Sequence, residues 1–68
     1  MDELYFLVEE SPEGGYTARA LGESIFTQGE TLADLKENIK DAVDCHFERG
    51  KPKLIRLHIV HDEILSYV

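Results

Sequence analysis

"TLADLKENIKDAVDCHF", residues 31–47, decides how this chain folds. Leu32, Leu35, Ile39, Ala42, Val43 and Phe47 recur at helical spacing, and Lys36, Glu37, Lys40, Asp41, Asp44 and Glu48 fill the remaining faces. Thr31 is placed to cap the first turn, with Asp34 three residues on and its negative charge near the positive helix end. "RGKPK", residues 49–53, then stops the helix through Gly50 and Pro52.

The segments on either side alternate instead. Downstream, "KLIRLHIV" (53–60) sends Ile55, Leu57 and Ile59 one way and Leu54, Arg56, His58 and Val60 the other. Upstream, "SIFTQ" (24–28) and "GYTARAL" (15–21) read as strands separated by a reversal at Gly22 and Glu23. "LYFLVEE" (4–10) is a further strand, with Leu4, Phe6 and Val8 opposed to Tyr5, Leu7 and Glu9. The "EGGY" between the first two strands reads as a hairpin connection, since Pro12 presets a turn and Gly14 and Gly15 tolerate positive φ. A phosphate loop would open a helix beside positive charge, whereas Glu9, Glu10 and Glu13 would repel an anion.

The order is therefore βββαβ, an α+β fold with one helix on one face of a four-stranded mixed sheet. The first three strands form an antiparallel meander. The helix crossover makes strand four parallel to its neighbour, and the sheet order is 3-2-1-4. Phe6, Ala18, Leu57 and Ile59 are assigned to the covered face, opposite Leu35, Ile39 and Val43. Tyr5, Leu7, Thr17, Arg19, Arg56 and His58 take the uncovered face. Such a mixture of aromatic, aliphatic and cationic groups suits a binding surface.

Sixty-eight residues make one domain near the lower limit for a core without disulfides. The single Cys45 suggests a reducing compartment and is expected to tuck under the sheet at the helix end. With no signal peptide or membrane span visible, a soluble cytoplasmic protein is expected. Fourteen acidic and seven basic residues give a net charge of −7. That charge opposes direct nucleic-acid binding and favours basic partners.

Residues 13–48, "EGGYTARALGESIFTQGETLADLKENIKDAVDCHFE", resemble the N-terminal domain of HicB-like antitoxins. Gly14, Gly15, Tyr16, Gly29, Glu30, Thr31, Leu32, Asn38, Ile39 and Ala42 match that family's pattern in order. The resemblance implies a partial ribonuclease-H-like fold, oligomerisation, and binding to a small basic ribonuclease toxin, HicA, whose active site is occluded. "ARALGES" stands where many such proteins carry Pro-x-Leu-Pro-Gly-Cys. The DNA-binding segment usual in the family is not seen up to Val68, so transcriptional repression is not expected. The alternative reading is a stand-alone homo-oligomeric domain with no toxin partner.

No enzyme is expected, because no acid/base pair or nucleophile constellation is apparent. Two-metal hydrolysis needs carboxylates at mid-strand. Here the middle of strand one is Tyr5-Phe6-Leu7, and Asp2, Glu3 and Glu9 lie toward its ends. His58 and His61 are three apart on an extended segment, point to opposite faces and read as surface or interface histidines. Asp44 beside Cys45 opposes a reactive thiolate. No metal or cofactor is expected. Candidate partner contacts are Arg19, Arg56 and His58 on the uncovered face, with Glu37, Asp41 and Asp44 (and Glu48) on an acidic helix face. A homodimer is expected through strand four and the tail "DEILSYV", with Ile64, Leu65, Tyr67 and Val68 contributing and Tyr5, Leu7 and His58 nearby.

Overall fold

The structure, a computed structural model, describes residues 2–67; the expected contact at Val68 lies outside them. Strands β1 (Glu3–Glu10), β2 (Tyr16–Ala20) and β3 (Phe26–Gly29) precede helix α1 (Leu32–His46), and β4 (Leu54–Val60) follows it. The sheet order is β3-β2-β1-β4. β1 pairs antiparallel with β2 and parallel with β4. The βββαβ reading and the strand order both hold.

Strand register sorts the side chains. Phe6 stands beside Ala20 on one side and Leu57 on the other, and Val8 beside Ala18 and Ile59. On this face Leu4, Phe6, Val8, Ala18 and Ala20 are buried together with Ile25 and with Leu35, Ile39 and Val43 of α1. Each large apolar side chain so buried contributes about 1.5–3 kcal/mol, and these nine residues are the core of a small domain.

The helix begins where its cap predicts. Thr31 is extended, and its Oγ1 accepts a hydrogen bond from the Asp34 amide at 3.0 Å. It ends sooner than its periodicity suggests. Phe47 is the extended C-cap, its amide donating to the Val43 carbonyl at 3.0 Å, so Glu48 lies beyond the helix. Cys45 is exposed, contrary to its expected place under the sheet. Two residues past the buried Val43, it has turned to the solvent side of the helix.

Two glycines lock the helix to the sheet. A Cβ on Gly29 would lie 2.6 Å from the Leu35 amide nitrogen and 2.8 Å from its Cα. The end of β3 thus runs directly against the first turns of α1. Gly15 has φ +83, and a Cβ there would meet the Gly29 carbonyl oxygen at 2.9 Å. The "EGGY" hairpin is closed by the Gly14 amide donating to the Ser11 carbonyl and the Ser11 amide to the Gly15 carbonyl. Asn38 adds a tie from the helix, its Nδ2 donating to the Gln28 carbonyl at 2.7 Å.

Held this way, α1 lies over β3 and β2, and none of its Cα atoms comes within 8 Å of those of β1 or β4. Ile59 faces the helix side as assigned but is 46% exposed, and Ile55 and Leu57 are only partly buried. Residues 61–67 neither extend β4 nor pair elsewhere. The Cα radius of gyration is 13.7 Å, against about 11 Å for a compact domain of this length; the tail stands away from the body.

Candidate functional site

The face of the sheet turned away from α1 is bare. Alternation along each strand and register between them build its rows. Across all four strands run Phe26, Arg19, Leu7 and His58, paired in that order. Beside this row Tyr5 is paired with Arg56, and the Leu21 amide donates to the Tyr5 carbonyl. Phe26 is 65% exposed and Tyr5 46%. The site combines two exposed aromatic rings, aliphatic groups, two arginines and a histidine.

The two arginines differ in their engagement. Arg56 lies over the Tyr5 ring, its guanidinium carbon 5.9 Å from the ring centre. Its Nε and Nη2 each lie 2.9 Å from Glu3 Oε1, and the Tyr5 hydroxyl donates to Glu3 Oε2 at 3.2 Å. The hydrogen bond from Arg56 is the largest influence holding the Glu3 carboxyl below its ordinary range, against a smaller opposing effect of desolvation. The same bond raises Arg56. Arg56 is therefore oriented and partly neutralised before any partner arrives. Arg19 makes no ion pair among the described residues and sits between Leu7 and Phe26. It is the available cation of this face.

The candidate residues do not form one site. Arg19, Arg56 and His58 share the open face, whereas Glu37, Asp41 and Asp44 belong to the helix on the other side of the sheet. The acidic stripe is also broken by cations. Glu37 lies 3.7 Å from Lys40 Nζ, and Asp44 accepts a hydrogen bond from Lys51 Nζ at 3.1 Å. His58 and His61 are divided as their spacing requires, for His61 Nδ1 meets Glu10 Oε1 at 2.7 Å beyond the end of β4. Phe26 and Leu21 were missing from the expected face. Phe26 was legible from its neighbour, since an inward Ile25 turns the next residue outward.

A cleft of about 530 Å³ opens beside the glycine turns, rimmed by Glu13, Glu30, Asp34 and Glu37. Its carboxylates repel anions, in keeping with a structural role for Gly14 and Gly15. Among the described residues, no three His, Cys, Asp or Glu side chains converge on a point where they could hold a metal ion. Nor is any helix there long and apolar enough to cross a membrane.

The chain is 64% identical over 55 residues to a UPF0150 protein of Archaeoglobus fulgidus, a match covering 79% of this chain and 82% of the relative. It belongs to the UPF0150 family. A UPF0150 protein of Thermotoga maritima is 48% identical over 64 residues, covering 94% of this chain and 91% of the relative. No family model and no solved structure matches the chain. For this UPF0150 protein, the functional reading rests on the geometry of its open face.

Proposed function

We propose that this UPF0150 chain is a protein-binding module of the HicB-like antitoxin type, which neutralises a small basic ribonuclease by covering its active site. The observation that carries this reading is the bare sheet face, where Phe26, Arg19, Leu7 and His58 form a continuous row beside Tyr5 and Arg56. Aromatic rings and arginines are the side chains that concentrate binding energy at protein interfaces. A strand-built surface presents them with little conformational freedom left to lose. The net charge of −7 attracts a basic partner, and the matching positions from Gly14 to Ala42 support the family likeness. Inhibition of this kind needs no chemistry from the inhibitor, only a surface that excludes RNA.

A second reading, a homo-oligomeric domain with no toxin partner, is favoured by the exposed apolar tail. The two are separated by producing the chain together with any small basic protein encoded beside it. Antitoxin action predicts a stable complex and loss of RNA cleavage by the partner. Arg19→Glu and Phe26→Asp, at exposed positions where folding is spared, should weaken that inhibition by at least about tenfold. Equal inhibition by both variants would remove the open face as the docking surface.

A further inference from the structure

Because α1 leans over β3 and β2, the helix side of β4 is only partly covered. A groove of about 500 Å³ remains there, with Ile39, Ile55 and Leu57 forming its apolar floor and Ala33, Lys36, Glu37 and Lys40 along its helix side. Lys40 is paired with Glu37 at 3.7 Å, whereas Lys36 makes no ion pair among the described residues and is the available cation of the groove. β4 is also an edge strand, bonded only to β1, with its outer backbone groups free to pair.

The complement of this groove is present in the same chain. After Val60 come His61, Asp62, Glu63, Ile64, Leu65, Ser66 and Tyr67. Ile64 is 99% exposed, Leu65 90% and Tyr67 100%. On one side of an extended tail, Glu63 followed by Leu65 and Tyr67 matches the unpaired Lys36 beside an apolar floor. The chain's own tail leaves in the wrong direction to fill its own groove. His61 is held at Glu10 where β1 ends, and residues 61–67 contain neither glycine nor proline to turn the backbone back along β4.

We propose that the groove receives the tail of a second copy, each protomer giving residues 62–67 to its partner's β4 in an antiparallel exchange. A two-fold axis at His61 pairs residues equidistant from it. Leu65 then stands opposite the partner's Leu57, Tyr67 opposite Ile55 and Glu63 opposite Ile59. By alternation all three share the groove side, with Glu63 near Lys36. The exchange covers Leu65 and Tyr67, satisfies both free edges and joins two sheets into one of eight strands. It is independent of the toxin reading, which uses the opposite face.

Sedimentation equilibrium of the full chain at micromolar concentration tests it. The intact protein is expected at twice 7.8 kDa. Leu65→Asp with Tyr67→Asp should dissociate it at least about tenfold more readily with an unchanged helical circular dichroism signal, because neither side chain contributes to the protomer's core. Lys36→Glu and Glu63→Lys should each weaken the dimer, and the two combined should restore it. A wild-type species of 7.8 kDa overturns the proposal, as does a dimer indifferent to the tail substitutions or a charge swap without recovery. Dissociation by Phe26→Asp alone would place the contact on the open face and overturn it equally.

Discussion

Gly29 shows how much of this fold rests on one absent methyl group. Its Cβ position is occupied by the backbone of Leu35, which cannot step aside as a flexible side chain would. Gly29→Ala must therefore lift α1 from β3, opening the packing of Leu35, the helix residue most deeply buried. A loss of roughly 2–4 kcal/mol is expected in urea or thermal melts. Gly14→Ala is the control: its Cβ meets nothing within 4 Å, and only its φ of +102 is strained, for about 1 kcal/mol. Equal losses would show that the helix does not depend on the close approach at Gly29. The glycines of "EGGY" were readable as turn residues, but the contact of Gly15 with Gly29 was not. That contact joins the Gly15 turn to the end of β3 and exists only once both are built.

At the scale of elements, period and register account for what was legible. Alternation separated Phe6 and Val8 from Tyr5 and Leu7, and the helical spacing picked out Leu35, Ile39 and Val43 correctly. It did not reveal where over the sheet the helix would sit. A helix covering the sheet evenly would bury Ile59; a helix pinned at Gly29 leaves it exposed. Cys45 failed for a related reason, because proximity to the apolar Val43 and Phe47 says little about which side of the last turn a residue takes. The Glu3–Arg56 contact joins β1 to β4 and carries its own pH signature. Glu3 is held below its ordinary value of 4.5, so the contact stabilises the fold above that value. The contribution is lost as pH falls through the lowered value. Glu3→Gln should lower the melting temperature at pH 7 and converge with the wild type near about pH 2. The effect is modest, since both groups face solvent. A difference equal at both pH values would remove the ion pair as its cause.

For the molecule as a whole, charge and contact are placed on opposite sides. Asp41 and Asp44 lie on the helix, away from the open face, so they act on a docking partner through the long-range field and not by touch. Arg19 and Phe26 act by touch. This separation predicts a division of kinetics with a basic protein partner. Reversing the charge at Asp41 and Asp44 should slow association with little change in dissociation, and Arg19→Glu should do the opposite. Raising ionic strength from about 0.01 to 1 M, which shortens the Debye length from about 30 to 3 Å, should reproduce the first effect and not the second. Rates measured by surface-immobilised partner binding would decide it. An association rate indifferent to salt would remove the acidic surface from recognition.

The parallel pairing of β1 with β4 also constrains how the chain is made. β1 emerges first from the ribosome, and β2, β3 and α1 can assemble on one side of it while later residues are still being added. Its other edge finds a partner only when Leu54–Val60 arrives, since Glu3 pairs with Leu54 and Glu9 with Val60. Until then a nascent intermediate presents the unpaired backbone of its longest strand, beside a core that lacks Ile55 and Leu57. Such an edge invites pairing with another nascent chain. The seam between β1 and the edge strand β4 is the last to close.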